Sequence, residues 1–189
     1  MRRGIATIAI LVICLSRATA AESITQQNVR INTLQTQYRC WIASILTHIG
    51  RQKKSDPDDR FAIFYPATRP DAYVQCLFRP DGKEIYCEAE SGYYAPRYTP
   101  SPDKVAIAAS LGFSTDATKG NFKLYRPITD PEALDRIAGL IVETLGRVYD
   151  LRLDETLNLN APLVKAMPVR PCAPLIGSVQ DLNVASGGV

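Results

Sequence analysis

Apolar and polar residues alternate from Tyr73 to Ser91 on both sides of Arg79-Pro80-Asp81-Gly82, and this period of two predicts a β-hairpin. Two registers compete. A glycine-bulge turn that sets Arg79 opposite Lys83 pairs Phe78 with Glu84 and Val74 with Glu88, mixing apolar and charged groups on one face. A four-residue loop, Pro80 to Lys83, sets Arg79 opposite Glu84 instead. Phe78 then faces Ile85, Cys76 faces Cys87 and Val74 faces Ala89, so that face is wholly apolar. A slip of one residue would turn every side chain over, so the hydrophobic pattern selects the second register. The outward face then carries Tyr73, Gln75, Leu77, Tyr86, Glu88 and Glu90.

The flanking patterns supply the other elements. Leu34, Tyr38, Trp41, Ile42, Ile45 and Ile49 recur at three- and four-residue steps and predict a helix over Gln26 to Ile49, stopped by Gly50. Phe61 to Tyr65 reads as a short strand after the polar turn Ser55 to Arg60. Ser101-Pro102-Asp103 opens a short helix that Gly112 stops. Asn121 to Tyr125 is a further strand, with Phe122 and Leu124 inward. Asp130-Pro131-Glu132 starts a helix whose stripe runs from Leu134 through Ile137, Ile141 and Leu145 to Val148. Leu157 and Leu159 mark an edge strand. The order α-β-β-β-α-β-α-β predicts an α+β fold, an antiparallel sheet of four to five strands with helices on one face.

The amino terminus changes the charge argument. Met1-Arg2-Arg3, the apolar run Ile5 to Leu15 and Ala18-Thr19-Ala20 have the form of a signal peptide over residues 1–20. An uncleaved anchor is the alternative, but the run is shorter than the ~20 residues a span needs. Cleavage leaves a single domain over residues 21–160, a Pro- and Gly-rich tail over 161–189 and no membrane span. It removes three arginines and no acid, so Lys+Arg falls from 22 to 19 against 19 Asp+Glu and the net charge falls from +3 to zero. The mature chain therefore has no basic footprint for nucleic acid. Export, to the periplasm or beyond the cell, is the expected localisation.

Four of the five cysteines lie outside the leader: Cys40, Cys76, Cys87 and Cys172. An even count in an exported chain argues for disulfides. In the selected register Cys76 and Cys87 form a non-hydrogen-bonded pair with Cα atoms ~4.5 Å apart, within disulfide range. This predicts Cys76–Cys87 and leaves Cys40 to meet Cys172; two buried free thiols are the alternative. The single histidine, His48, falls in the last turn of the first helix, where a solvated or capping role is expected. Asp56, Asp58 and Asp59 lack the glycine and distant glutamate of a calcium loop. No cofactor, metal or catalytic set is indicated.

In their order along the chain, several short motifs resemble the TY-Chap family of peptide chaperones, related in fold to type III secretion chaperones and YbjN-like proteins. They are Tyr73-Val74-Gln75, the strand Glu84 to Ser91, Leu111-Gly112-Phe113, Asn121-Phe122, and the helix from Ile137-Ala138 through Leu145 to Val148-Tyr149. The resemblance spans Gln26 to Leu159. It implies a fold that holds partner polypeptides rather than an enzyme, and pairing into a homodimer. Secretion chaperones of that fold are acidic and cytoplasmic, whereas this chain reads as neutral and exported. The function expected is thus an exported protein- or peptide-binding module with a partner in the cell envelope, contacted through Tyr73, Gln75, Leu77, Tyr86, Glu88 and Glu90. The competing reading is a secreted enzyme, either a thiol redox protein or a small hydrolase using carboxylates such as Glu84, Glu88 and Glu90.

Overall fold

The computed structural model describes residues 23–52 and 56–164. The expected leader, and the expected tail after Val164, lie outside the described residues. Helix α1 (Ile24–Arg51) is followed by strands β1 (Phe61–Pro66), β2 (Val74–Phe78) and β3 (Glu84–Ala89). Helix α2 (Pro102–Ser110), strand β4 (Phe122–Pro127), helix α3 (Ala133–Glu143) and strand β5 (Leu157–Asn160) complete the order α-β-β-β-α-β-α-β. The sheet is antiparallel with the strands arranged β4-β3-β2-β1-β5, so the first four form a meander and the last returns to pair with β1.

The hairpin register is the one that the apolar face selects, with Val74 opposite Ala89, Cys76 opposite Cys87 and Phe78 opposite Ile85. Its four-residue loop closes through Arg79 N–H donating to Glu84 O at 3.0 Å, with Gly82 in the left-handed region at φ 69°. Arg60, fully buried, braces this loop. Its Nη1 donates to the carbonyl of Pro80 at 3.2 Å, and the guanidinium lies over the Phe78 ring.

The apolar faces of the strands meet α1 and α3, which form the helical layer. Phe64, Val74, Cys76, Phe78, Ile85 and Cys87 are buried beneath Leu34, Trp41, Ile42, Ile45, Ile137 and Ile141. Trp41 meets Phe64 edge-on with ring centroids 6.1 Å apart. Ser23 and Gln26 form a capping box that starts α1. Gly50 does not stop α1, which runs on to Arg51. A Cβ at Gly50 would stand 3.0 Å from Phe78 Cε1, so the residue serves close packing against the ring.

Three helix ends differ from the sequence expectation. The Ser101 side chain makes no capping hydrogen bond to α2. Asp130 closes a turn before α3, accepting from Glu132 N–H at 3.0 Å and pairing with Arg136, and the α-helix begins at Ala133. At its other end α3 widens into a π-helical turn over Thr144–Val148. Gly146 lies in that turn, where a Cβ would come 2.4 Å from Ile31 Cδ1. Arg30 donates to the carbonyls of Gly146 and Leu151 at 2.9 and 2.8 Å, tying α1 to this turn.

Candidate functional site

The second face of the sheet is where the chain leaves large side chains half-exposed. Alternation puts Phe61, Ile63 and Tyr65 of β1, Gln75 and Leu77 of β2, and Glu84, Tyr86 and Glu88 of β3 on this side. Strand pairing then aligns them in rows. Phe61 stands opposite Leu77, Leu77 opposite Tyr86, and Tyr86 opposite Tyr125, so one apolar and aromatic row crosses four strands. The adjacent row is polar on three strands and runs Ile63, Gln75, Glu88, Lys123. Tyr86 and Tyr125 stack with ring centroids 4.7 Å apart, and Tyr125 remains 52% exposed.

Five of the six predicted contact residues lie on or beside this face. Gln75, Leu77, Tyr86 and Glu88 are in the strands, and Tyr73 immediately precedes β2. The Tyr86 hydroxyl donates to Glu88 Oε1. Burial, then the hydrogen bond to Glu88 and its charge, push the Tyr86 phenol well above its ordinary pKa. Tyr73 accepts from Asn121 Nδ2 at 2.7 Å, and its pKa is pushed up to about 12, first by burial and then by the Glu90 and Glu88 charges against the Asn121 bond.

Glu90 is the exception, and the expectation that it faces a partner is corrected. Its side chain is 0% exposed. The backbone still pairs in register, Glu90 N–H donating to Tyr73 O, but the chain turns back at Gly92 and seals the carboxylate. Gly92 N–H donates to Glu90 Oε1 at 2.7 Å, and the Tyr149 hydroxyl donates to the Glu90 carbonyl at 2.6 Å. The turn demands glycine: φ is +90°, and a Cβ would lie 2.3 Å from Thr99 Oγ1.

Four contributors stood outside the predicted contact set. Phe61 and Tyr125 join the row only because β1 and β4 flank the hairpin in register. Tyr93 and Tyr94, in the link after β3, are 51% and 69% exposed and meet edge-on, with Tyr94 close enough to influence the Tyr86 phenol. Farther along the same link, Tyr98 packs against the core. The tyrosine count and the Gly92-Tyr93-Tyr94 step were the available signals.

The cysteines contribute structure at this site. Cys76 and Cys87 are disulfide-bonded with Cα atoms 4.0 Å apart, and both are fully buried on the helical side of the hairpin. Cys172 lies outside the described residues, so the expected Cys40–Cys172 pair is not described; Cys40 itself is disulfide-bonded. A separate cleft of about 270 Å³ is lined by Arg69, Ser101 and Lys104. Its cations are engaged already: Arg69 pairs with Glu155 at 2.7 Å, and Lys104 donates to Arg147 O at 2.6 Å. Among the described residues no group of three or more His, Cys, Asp or Glu is placed to hold a metal ion, and no helix is long and apolar enough to cross a membrane.

A comparison with family models gives a match over most of the chain. The model described as TY-Chap3, "T3SS (YopN, CesT) and YbjN peptide-binding chaperone 3", matches residues 33–162. That stretch holds every strand and α2 and α3, with most of α1. No curated protein and no solved structure matches.

Proposed function

Because the chain belongs to the TY-Chap3 family of peptide-binding chaperones, we propose that it is an exported, non-catalytic binding protein that holds an extended polypeptide segment on the open face of its sheet. The row Phe61, Leu77, Tyr86, Tyr125 carries this reading. A rigid sheet that presents four large apolar and aromatic side chains in line offers apolar contact without ordering cost in the binder. The adjacent Gln75, Glu88 and Lys123 supply polar partners for a peptide backbone and side chains. The segment that fits is one with apolar or aromatic residues at alternate positions, since an extended chain presents every second side chain to one surface.

Export rests on the leader-like residues 1–20 and on the buried disulfide of the hairpin. The envelope partner follows from export. A thiol redox role has no support from Cys76 and Cys87, whose sulfurs are bonded to each other beneath the helices. A carboxylate pair for hydrolysis has little support, since Glu90 is sealed and Glu84 and Glu88 stand on the open sheet face.

The test is fluorescence anisotropy with labelled extended peptides carrying alternate aromatic residues, using wild type, Leu77→Glu and the Tyr86→Ala/Tyr125→Ala pair. Wild type should bind and both variants should lose at least ~10-fold in affinity, the effect of about 1.4 kcal/mol. Equal affinity in variants that keep the native circular dichroism removes this face as the site. Absence of binding by wild type removes the reading.

A further inference from the structure

The outward side of β3 reads acid, aromatic, acid: Glu84, Tyr86 and Glu88 share it at two-residue steps. Each acid stands opposite a base, Glu84 opposite Arg79 across the hairpin and Glu88 opposite Lys123 on β4. Opposite charges in such a register stabilise a sheet when they meet. Among the described residues neither pair is closed by an ion pair. Lys123 turns its Nζ to the Lys119 carbonyl, 3.5 Å away, and Glu88 turns to the Tyr86 hydroxyl, which donates to Oε1. Among the described residues nothing donates to Glu88 Oε2, so a half-buried carboxylate keeps one oxygen open.

Aromatic rings gather around this carboxylate from three segments. Tyr86 supplies one from β3, and Tyr125 is its stacked neighbour from β4, open to solvent. Tyr94 comes from the link after β3. Its hydroxyl reaches the start of β4, 3.8 Å from where a Cβ at Gly120 would stand, and its ring meets Tyr93 edge-on. Tyr94 and Tyr125 both bear on the Tyr86 phenol, so the three rings border one stretch of surface. Ring faces beside a carboxylate with an open oxygen attract a cation twice over, through the ring quadrupole and through charge.

We propose that this corner is a specificity subsite of the peptide face and takes an arginine side chain of the bound segment. The guanidinium lies against the tyrosines and donates to Glu88 Oε2. Arginine suits the corner better than lysine: its planar fork stacks on an aromatic ring and meets a carboxylate edge, whereas an ammonium holds its water more tightly. The apolar row fixes what accompanies it. From Tyr86 to Leu77 is one strand spacing, ~4.8 Å, and to Phe61 two, ~9.6 Å, so a residue two positions from the arginine, ~6.8 Å away, falls over Leu77 and Phe61. The segment that fits therefore carries an arginine two positions from a large apolar residue.

This subsite rests on the peptide-binding reading of the face, and its test lets the two fail separately. The probe is a labelled extended peptide with alternate aromatic residues and one arginine. Its twin carries citrulline there, which keeps the shape and loses the charge. Anisotropy titrations use wild type, Glu88→Gln and Tyr94→Ala. Wild type should hold the arginine peptide about 5- to 10-fold tighter than the citrulline peptide. That preference should vanish in Glu88→Gln, and it should weaken in Tyr94→Ala and, for wild type, at high salt. Equal affinity of wild type for the two peptides overturns the subsite while leaving the face as a peptide site. A preference that survives in Glu88→Gln, or is untouched by Tyr94→Ala or by salt, overturns it too. Binding of neither peptide removes the reading of the face and the subsite with it. Should Glu88→Gln not fold, the salt titration of wild type decides.

Discussion

Tyr86 and Tyr125 stand opposite each other on neighbouring strands with ring centroids 4.7 Å apart, and the stack lies open to solvent on the Tyr125 side. An aromatic pair of this geometry contributes ~0.5–1.5 kcal/mol beyond its area. A double-mutant cycle with Tyr86→Ala and Tyr125→Ala should give a coupling of that size in urea unfolding. A coupling near zero would mean that the rings are held by their backbones alone.

Buried and half-buried phenols set an alkaline limit. Tyr73, Tyr86, Tyr149 and Tyr38 are all raised above the ordinary value of 10, Tyr73 to about 12, with burial the leading cause in each. A raised folded value means that above pH 10 the unfolded chain has released protons the folded chain still holds. Stability from these groups is therefore complete below pH 10 and is lost as pH rises toward 12 and beyond. Urea midpoints should be flat between pH 8 and 9.5 and fall steeply from pH 10 to 12. A midpoint that holds to pH 12 would contradict the burial of these hydroxyls.

The hairpin disulfide is a stability element. Replacing Cys76 and Cys87 together by alanine should cost ~2–4 kcal/mol in chemical unfolding while leaving the fold in place. In the native wild type a small alkylating reagent should label neither, since both are fully buried and bonded to each other. Rapid labelling of either would show that the strands part readily.

Gly92→Ala tests the seal over Glu90. The residue sits at φ +90°, and its new Cβ would meet Thr99 Oγ1 at 2.3 Å and Thr99 Cα at 2.8 Å, the latter a backbone atom that cannot rotate away. The cost should be ~1–3 kcal/mol. Hydrogen exchange should accelerate at residues 90–99 while β2 stays protected. A variant as stable as wild type would remove the constraint argued for this turn.

The hairpin register was legible because a period of two with one fully apolar face leaves a single consistent pairing. The element order followed from the same logic applied to each stretch. What local pattern could not show was anything set by a neighbour distant in sequence. Glu90 continues the outward alternation, and only the return of the chain at Gly92 buries it. Phe61 and Tyr125 read as ordinary strand residues until strand order aligns them with Leu77 and Tyr86. The π-helical turn after Glu143 goes with the close approach of Gly146 to Ile31, a contact between α3 and α1 that no single window contains.

The return of β5 has a kinetic consequence. Strands β1 to β4 pair in sequence order across short and medium connections, so most of the sheet can assemble from local contacts. β5 instead closes on β1 after three strands and two helices have intervened, pairing Ile63 with Asn160 and Tyr65 with Asn158. Loop closure of that length comes late. Until it does, β1 presents a bare edge flanked by Phe61, Ile63 and Tyr65, the configuration most prone to pairing with another chain. A molecule whose settled form offers a sheet face to polypeptides thus passes, while folding, through a form that offers them a sheet edge. Its yield should depend on how quickly residues 157–160 arrive.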